Sequence, residues 1–508
     1  MSEFLNSKEN YKKAFDFLST INQKAYKDIF MLSNQVLSKN PLTNKFFTRF
    51  LKKEEPEPTS FCFILKKLIR YYFFSLKNFI GYLLQKIEFY LSGQRFSYDP
   101  KDEELILIDS FFVIKKILLE NSYNDRYFPG MGELLRKLNK NFAYLPEFDG
   151  VKKRLTVYKI FKILKKDSVS VLSEYKLLSF FDLLYMFYFI LAYPISVFRL
   201  IAEFNDGKQE HRLLKSELIN TLDQVVFPAF SRYLQGRRIA KLPYRNIKVI
   251  SWYENQVVHK NLYKGLRTNP DKVKIYGAQL FLYPQTMFNI APDEKEATFG
   301  IIPDRILVNG PNFMPEQNNA NIFVGPSLRY AKIFNINFNG SEKKNILVLL
   351  TYFKNYTEIM LKMLSEIGPF DAPILIKTHP SLNIEEFKYL LQPNFTIVKD
   401  DTYKLFKTTK ILISAATGAT VEAASLGIPV IYVNDQKSID YNFLPEYGKG
   451  VIWDEVTSSY ELKQKISEFE HALRNNSIQI KEVADIYKNR LFSEPSEEKV
   501  IDCFDLNN

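Results

Sequence analysis

The sequence predicts an α/β protein with two parallel sheets, each built from βαβ units. Short runs of apolar, often β-branched residues alternate with helical patterns along most of the chain, which is typical of strands joined by helical crossovers. The clearest runs lie in the C-terminal half, at 345–352, 374–376, 395–398, 411–413 and 430–433. Runs that are apolar throughout predict strands buried on both faces, as in parallel sheets covered by helices.

A second parallel sheet is predicted in the middle of the chain. Its first strand is ELILIDSFFV, which begins after residue 103 and is expected to end near Asp109 and Ser110. NFAYLPEF, a run at 247–251 and two further apolar runs supply the next strands, and 322–330 is expected to cross to the other domain. The predicted parts are a helical extension at 1–97, a Rossmann-like domain at 98–320 and a second Rossmann-like domain at 321–508.

Two apolar segments lie outside the predicted sheets. Segment 61–91 mixes large apolar and aromatic residues with lysines and an arginine, so we predict a pair of amphipathic helices rather than a membrane span. These helices either pack on the rest of the protein or lie on an anionic membrane surface. Segment 177–201 is more apolar but contains Asp182, Pro194 and Arg199, so we predict a buried or interfacial helix kinked near Pro194.

Composition narrows the compartment and the partners. The 508 residues are 46% hydrophobic and 25% charged, which is ordinary for a globular protein of two or three domains. The net charge of +12 favours acidic partners such as nucleotide phosphates or anionic lipids, and no nucleic-acid-binding motif accompanies it. Cys62 and Cys503 form no disulfide framework, and the polar N-terminus is not a signal peptide. We expect a cytoplasmic protein, with a peripheral position on the inner face of the membrane as one alternative.

Polar residues follow two of the C-terminal strands at the points where those strands end. Lys377, Thr378 and His379 come directly after one strand, and Pro380 restricts the histidine that precedes it. Ligands of open parallel sheets bind beyond the carboxyl ends of the strands. An imidazole there can donate to a phosphate oxygen and stabilise a nucleotide as it leaves, so His379 is a candidate catalytic residue. Lys377 is a candidate nucleotide-binding residue.

The second polar stretch is SAATGATVEAASLGIP, which runs from a strand into a helix. Backbone N–H groups and hydroxyls at a helix entry form a site for an anion. A capped helix without a ligand would have the same pattern. The candidate nucleotide-binding residues of this stretch are Ser414, Thr417, Gly418, Thr420 and Glu422.

Glu254 is the candidate general base. It follows the strand at 247–251 in the N-terminal domain, where a carboxylate could face the phosphate site and accept a proton from an acceptor hydroxyl. Asp109 and His259 are the alternatives. No acidic pair is placed to chelate a diphosphate through a metal, because Asp400 and Asp401 are predicted to cap a helix, so neither a metal nor a cofactor is expected.

The C-terminal half, from about residue 320, resembles the GT-B glycosyltransferases of bacterial surface polysaccharide synthesis. The likeness is greatest to the users of CMP-sugars, the sialyl-, polysialyl- and Kdo transferases, which have an HP motif and a Ser/Thr motif leading to an EA pair and a GxPV motif. The counterparts here are His379, Pro380, Ser414, Thr417, Glu422, Ala423, Gly427, Pro429 and Val430. Two features depart from those motifs: Ala415 replaces a second serine, and Glu254-Asn255-Gln256 is the nearest match to an acidic-acidic-glycine motif.

The resemblance implies a GT-B fold, with two Rossmann-like domains facing a cleft, and a metal-independent, inverting transferase. It implies that His379, Ser414 and Thr417 hold the nucleotide phosphate and that Glu254 acts as base. The expected donor is a CMP-linked acidic sugar such as a nonulosonate or Kdo, and the expected acceptor is a hydroxyl of a glycan or lipid-linked glycan. Alternatives are a UDP-sugar 2-epimerase, a CDP-polyol phosphotransferase, and a non-catalytic scaffold of a polysaccharide assembly complex at the membrane.

Overall fold

Two six-stranded parallel sheets organise the chain in the computed structural model. The structure describes residues 8–56, 60–96, 103–150, 152–204, 206–284, 286–316, 321–336, 343–368, 370, 372–436 and 441–507. The predicted domain boundaries at 97 and 320 lie outside these residues.

The helices and strands are numbered here in chain order. The helices are α1 (Lys8–Ala25), α2 (Phe46–Leu51), α3 (Phe61–Ser92), α4 (Ile114–Glu120), α5 (Met131–Lys137), α6 (Thr156–Lys166), α7 (Glu174–Leu177), α8 (Phe180–Ala202), α9 (Gln209–Asn220), α10 (Phe227–Ile239), α11 (Val257–Leu266), α12 (Glu294–Thr298), α13 (Lys332–Asn335), α14 (Lys354–Ile367), α15 (Thr402–Phe406), α16 (Ala419–Ser425), α17 (Ser459–Asn475), α18 (Ser477–Leu491) and α19 (Glu497–Cys503). The strands are β1 (Glu104–Val113), β2 (Phe142–Asp149), β3 (Asn246–Trp252), β4 (Val273–Ala278), β5 (Arg305–Val308), β6 (Ile322–Val324), β7 (Asn345–Leu349), β8 (Ile374–Lys377), β9 (Phe395–Val398), β10 (Thr409–Ser414), β11 (Val430–Val433) and β12 (Trp453–Val456).

The first sheet has the strand order β2-β1-β3-β4-β5-β6, and all of its pairs are parallel. Its central strands are buried on both faces, as the continuous apolar runs predict. β1 continues to Val113 rather than ending near Asp109. The reason is that Asp109 is neutralised within the sheet: it accepts a hydrogen bond from Ser251 on β3 at 2.8 Å and pairs with Arg232 at 2.6 Å.

The second sheet has the strand order β12-β11-β10-β7-β8-β9, again with parallel pairs throughout. The predicted strands of the C-terminal half are all present. Two parallel sheets of Rossmann type, one after the other in the chain, confirm the predicted fold class. In this sheet β7 lies between β8 and β10, so the loops after those two strands flank the end of β7.

The N-terminal helices belong to the first domain's core rather than standing apart from it. Lys39, which follows α1, is fully buried and pairs with Asp293 at 3.0 Å and with Glu296 at 3.3 Å. Lys260 of α11 pairs with the same Glu296 at 2.6 Å. Burial alone would raise the pKa of Glu296, but the two lysines and a hydrogen bond from Asn255 hold it at about 2. The prediction of two helices in 61–91 is wrong, because α3 is a single helix of 32 residues.

The chain crosses between the sheets twice. Ile322–Val324, expected to lead into the second domain, is instead the sixth strand of the first sheet, and the crossing follows it. The C-terminal residues return to the first sheet, where Asp505 pairs with Lys274 at 2.6 Å and with Arg305 at 3.1 Å. The two domains are therefore tied together both at the crossing and at the end of the chain.

Close contact between α10 and α11 fixes the helix that follows β3. Gly236 and Gly265 lie where the two helices meet, and a Cβ atom on Gly265 would collide with the carbonyl oxygen of Tyr233. Only glycine permits this approach of the two backbones. The contact sets the position of α11 and hence of the β3–α11 loop.

We expect Gly265→Ala to destabilise the protein by roughly 1–3 kcal/mol, because α10 and α11 must separate to admit the methyl group. Gly81→Ala is the matched control, since Gly81 also lies inside a helix but has no atom within 4 Å of its Cβ position. There the lower entropy of the unfolded chain should stabilise the protein by about 0.5–1 kcal/mol. Thermal melts of both variants check this, and a shift in the same direction for both would contradict the close helix contact.

Candidate functional site

The carboxyl ends of the two sheets meet at a contact between Leu282 and Gly418. Leu282 follows β4 of the first sheet, and Gly418 lies in the loop after β10 of the second sheet. A Cβ atom on Gly418 would lie 3.3 Å from that of Leu282. The backbone N–H of Leu282 also donates to the hydroxyl of Tyr330, at the crossing between domains, at 3.2 Å. The strand ends of both domains therefore face one another, which is where ligands of parallel sheets bind.

Glu254 lies on the first domain's side of this meeting point, in the loop between β3 and α11. Its carboxylate is half-buried and accepts a hydrogen bond from the Gln256 side chain. Burial raises the pKa of Glu254 to about 7, although the Gln256 hydrogen bond and the charge of Arg329 act in the opposite direction. A carboxylate with a pKa near neutral is suited to accept and release a proton at physiological pH.

The loop that carries Glu254 is held by buried polar contacts. Asn255 has a left-handed backbone conformation with φ of 52°. Its side-chain amide donates to the Asn289 carbonyl oxygen at 2.7 Å and to Glu296 at 3.0 Å. Since Glu296 is itself held by Lys39 and Lys260, the carboxylate of Glu254 is fixed through the first domain's buried ion cluster.

Arg329 is the residue that the sequence analysis missed. It follows β6, at the crossing between the domains, and its guanidinium lies 4.4 Å from the ring centre of Phe281 and 5.0 Å from that of Tyr127. Burial raises the pKa of Glu254 in the first domain and of Glu422 in the second, and the positive charge of Arg329 opposes that rise in both. The only signal in the sequence is a basic residue at the crossing between domains, and its importance depends on contacts distant in the chain.

His379 follows β8 as predicted, and its ring is half-buried. Its Nδ1 accepts a hydrogen bond from the backbone N–H of Ser381 at 3.1 Å. A neutral imidazole with an accepting Nδ1 has its proton on Nε2, which makes Nε2 a donor. Burial lowers the pKa of His379, which favours this neutral form at pH 7. The ring centre lies 5.5 Å from that of Tyr352, which follows β7.

The loop after β10 meets the prediction only in part. Thr417 and Gly418 are half-exposed; Gly418 lies against Leu282 of the first domain, and the Thr417 hydroxyl accepts a hydrogen bond from the Ala419 backbone N–H at 3.4 Å. Ser414 is fully buried, and its hydroxyl donates to the Leu349 carbonyl oxygen at 2.8 Å. The Thr420 hydroxyl donates to the Thr417 carbonyl oxygen at 2.7 Å. The structure therefore gives Ser414 and Thr420 a role in shaping the loop, where the sequence predicts direct contact with phosphate.

Glu422 and Lys377 already have protein partners. The Tyr403 hydroxyl donates to one oxygen of Glu422 at 2.5 Å. Burial raises the pKa of Glu422, and the hydrogen bond from Tyr403 and the positive charge of Arg329 oppose that rise. Lys377 donates to the backbone oxygen of Asp400 across neighbouring strands β8 and β9, so it strengthens this edge of the sheet.

The two alternative bases are held inside the first domain. Asp109 is fully buried and pairs with Arg232, as described above. His259 is also fully buried, and its Nδ1 accepts a hydrogen bond from the Gln256 backbone N–H at 3.1 Å. Burial lowers the pKa of His259 well below its ordinary value, and the positive charges of Arg232 and Lys260 lower it further. Of the three candidate bases, Glu254 alone has a partly exposed side chain.

No group of three or more histidine, cysteine or acidic side chains is arranged to hold a metal ion within the described ranges. Asp401, one of the two aspartates after β9, caps α15 by accepting from the Tyr403 backbone N–H at 3.0 Å, as predicted. In the loop after β10, the backbone N–H groups of Ala419 and Thr420 already donate to Thr417, to its hydroxyl at 3.4 Å and to its carbonyl oxygen at 3.3 Å.

Comparisons with known proteins give structural neighbours alone. No family model and no curated protein matches the sequence. Solved structures similar to this chain include MurG of Acinetobacter baumannii, with 11% identity, a TM-score of 0.42, and coverage of 80% of this chain and 99% of that one. A Listeria monocytogenes protein described as a UDP-N-acetylglucosamine 2-epimerase has 10% identity, a TM-score of 0.42, and coverage of 78% and 94%. The wall teichoic acid polymerase TagF has 13% identity, a TM-score of 0.39, and coverage of 88% and 97%.

Likenesses as distant as these do not assign a function or a substrate. What the chain's own topology defines is the fold class: two parallel Rossmann-like sheets whose carboxyl ends face each other, which is the GT-B arrangement.

The raised pKa of Glu254 predicts a specific change of stability with pH. The native state keeps a proton that the unfolded chain, with a pKa of 4.5, releases, so the contribution of Glu254 to stability is full below pH 4.5 and is lost as pH rises through about 7. Glu254→Gln stays neutral, so its stability relative to wild type should increase by about 2–3 kcal/mol between pH 4.5 and 8. Denaturant melts across this range measure the difference.

Glu498→Gln is the control for this prediction, because Glu498 is exposed at the start of α19. The change expected for Glu254→Gln is the one measured in excess of this control. A difference for Glu254→Gln that is flat relative to this control would mean that Glu254 titrates as an ordinary exposed carboxyl.

Proposed function

We propose that this chain is a glycosyltransferase that moves a sugar from a nucleotide donor to a hydroxyl of a bacterial surface glycan. The proposal is supported by Glu254, whose pKa burial raises to about 7, and by the contact of Leu282 with Gly418, which brings the strand ends of the two domains together. Against the larger effect of burial, the positive charge of Arg329 lowers the pKa of carboxyl groups in both domains. A base, a site for the phosphate and a nearby cation would together promote glycosyl transfer from a nucleotide.

The donor phosphate would lie at the end of β7, between the loops after β8 and β10. Those loops are separated by two strand spacings, about 10 Å. In this proposal His379 donates through Nε2 from one side, and the loop at Thr417 and Gly418 donates from the other. Both donors would stabilise the negative charge that develops on the leaving nucleotide.

Transfer then needs one proton movement. The oxygen of the acceptor hydroxyl attacks the anomeric carbon of the donor, and its proton passes to Glu254. The bond from that carbon to the phosphate oxygen breaks, and the nucleotide leaves with the electron pair. A single displacement of this kind inverts the anomeric configuration. Because the donors to phosphate are protein groups, the step as proposed does not depend on a metal ion.

The donor that we favour is a CMP-linked acidic sugar such as a nonulosonate or Kdo. Arg329 supports an acidic sugar, since a guanidinium forms paired hydrogen bonds with a carboxylate. The positive charge of Arg329 acts on both Glu254 and Glu422 and would also attract an acidic sugar. The acceptor is a hydroxyl of a glycan or of a lipid-linked glycan.

A CDP-polyol phosphotransferase is the second candidate. The span of about 10 Å between the flanking loops could accommodate a diphosphate, with His379 against one phosphate and the loop at Thr417 against the other. In that reaction the acceptor oxygen attacks phosphorus and CMP leaves. Both reactions release CMP, so the two candidates share the site and differ in the donor, CMP-linked or CDP-linked, and in the bond that breaks, carbon–oxygen or phosphorus–oxygen.

We expect Glu254→Gln to lower the rate of transfer by about 10²–10⁴-fold, since a positioned base contributes that much. In the wild type, kcat/KM should rise with pH through an apparent pKa near 7, because Glu254 must be ionised to accept the proton. Product formation from CMP-linked donors, followed from pH 5.5 to 8.5, measures both. A wild-type profile flat across pH 7, together with full activity of Glu254→Gln, would remove Glu254 from the role of base.

The same assay tests metal independence and a purely structural role. EDTA should leave the rate unchanged, and a loss of activity would contradict a phosphate held by protein groups alone. Unchanged glycan product with His379→Ala would favour the non-catalytic scaffold.

Nucleotide binding is expected to depend on His379. In a thermal-shift panel of CMP, CDP, UDP and GDP, we expect the largest stabilisation from CMP, about 2.7 kcal/mol at a hundredfold excess over Kd. His379→Ala should weaken this binding about 10- to 100-fold, because a hydrogen bond to a charged group is lost. His471→Ala is the matched control, since His471 is exposed on α17. A larger shift with CDP would favour the phosphotransferase, and a larger one with UDP the epimerase.

A further inference from the structure

Helices α3 and α8 lie side by side and run in opposite directions. The Tyr72 hydroxyl donates to the Leu191 carbonyl oxygen at 3.2 Å. Further along α3, Phe79 contacts Phe187 with ring centres 6.0 Å apart. Near its end, Lys86 donates to the Leu178 carbonyl oxygen, just before α8, at 2.7 Å. The contacts advance along α3 as they go back along α8, so the two helices form an antiparallel pair.

The outer surface of this pair is strongly apolar. Of thirty large hydrophobic side chains that are exposed in the described part of the chain, eighteen lie on α3 and α8. Those on α3 are Phe61, Phe63, Leu65, Ile69, Phe73, Phe74, Ile80, Leu84, Ile87, Tyr90 and Leu91, and those on α8 are Phe180, Phe181, Leu184, Phe187, Tyr188, Leu191 and Ile195. We call this surface the α3–α8 face. Scattered exposed hydrophobics are normal on proteins, but a concentration of this size indicates an interaction surface.

The exposed residues follow helical spacing. On α3, Ile80, Leu84 and Ile87 are each more than half exposed, at 58%, 56% and 55%. Phe79 and Tyr82, in the same turns of the helix, are buried. Residues three and four apart lie on one side of a helix. From Phe61 to Leu91 the stripe is about 45 Å long at 1.5 Å per residue. It is therefore a continuous face along the whole helix, with its other side packed on the protein.

Positive charge accompanies the α3–α8 face. Exposed Lys66 and Lys77 lie on α3. Helix α6 packs against the C-terminal half of α3 through Phe161 and Phe89, whose ring centres are 4.8 Å apart. The segment from just before α6 to its end adds exposed basic residues and no acidic ones: Lys153, Arg154, Lys159, Lys162, Lys165 and Lys166. Glu88, the acidic residue of α3, accepts hydrogen bonds from backbone N–H groups at the start of α6.

We infer that the α3–α8 face lies flat on an anionic lipid bilayer, with its apolar side chains in the headgroup and acyl boundary and the lysines of α6 against the headgroups. An apolar helix face with basic residues beside it is the surface that binds membranes in this way. This docking would bring a lipid-linked acceptor to the enzyme, but it rests on the helix pair alone and does not depend on the proposed transferase activity.

Neither helix crosses the bilayer in this arrangement. By length and composition α8 could span a membrane, but half of its most apolar stretch is buried against the protein. Asp182 in its first turn pairs with Arg238 at 2.6 Å, which holds that end to α10. Helices α3 and α8 pack on the protein with one side and expose the other, which suits binding to a membrane surface rather than crossing it.

A second copy of the chain is the less suitable occupant. Each copy has a net charge of +12, and the basic residues of α3 and α6 adjoin the face. Bringing two such faces together would place like charges next to one another, which disfavours association. An anionic bilayer offers the opposite charge.

Flotation of the full-length protein with vesicles tests this inference. We expect binding to vesicles of phosphatidylcholine with 30% phosphatidylglycerol, and binding weakened by raised salt. The variant Ile80→Glu/Leu84→Glu/Ile87→Glu should reduce partitioning at least tenfold, because three apolar side chains are replaced by anions. Its matched control is Tyr460→Glu/Ile478→Glu/Ile486→Glu, three exposed hydrophobics on α17 and α18, which should float like the wild type.

A second, milder set of variants keeps the test independent of folding. Lys153→Gln/Lys159→Gln/Lys162→Gln should reduce partitioning to anionic vesicles at least tenfold, since each lysine near the surface contributes about fivefold. Lys362→Gln/Lys463→Gln/Lys481→Gln, of equal charge change and also exposed, should not. Failure of the wild type to float, equal flotation with pure phosphatidylcholine, or a dimer in analytical ultracentrifugation that the Ile80, Leu84 and Ile87 changes dissociate would overturn the inference.

Discussion

The proposed site depends on one electrostatic feature. The positive charge of Arg329 acts on carboxyl groups of both domains. Glu254 lies at the end of β3 in the first sheet, and Glu422 lies on α16 in the second. Burial raises the pKa of each, and Arg329 opposes that rise in both. The positive charge of Arg329 at the crossing therefore acts on both domains, and in the proposed site it would favour an anionic ligand.

The rest of the first domain holds this arrangement in place. The loop of Glu254 is tied through Asn255 to Glu296, which is neutralised by buried lysines from α11 and from the N-terminal region. Such a cluster is favourable only while all its members are present, because an unpaired buried charge is costly. The α10–α11 glycine contact and the return of Asp505 to the first sheet act in the same direction, since each fixes an element that borders the cleft.

Much of the fold follows from local pattern, and the parts that do not are explained by distant contacts. Strands such as β7 and β10 are apolar runs buried on both faces, so the sequence alone indicates them. The sequence analysis predicted two helices in 61–91, but the structure has one, whose lysines have partners on neighbouring elements: Lys67 pairs with Asp223, and Lys86 donates to backbone oxygens. Glu254 and His379 are recognisable because each directly follows a strand. The burial of Ser414 and the position of Arg329 depend on partners far away in the sequence, which pattern alone does not supply.

The chain thus combines a cleft suited to a nucleotide with an apolar, basic face suited to an anionic bilayer, and these are separate surfaces of one molecule. The most direct test of the cleft is a crystal structure of the full-length protein with CMP bound. We expect the phosphate within hydrogen-bond distance of His379 Nε2, beside the Thr417 loop, with Arg329 and Glu254 facing the space where the sugar would lie. A nucleotide bound elsewhere, for example in the lysine-lined cavity at the amino ends of the second sheet near Lys344 and Lys410, would contradict this account.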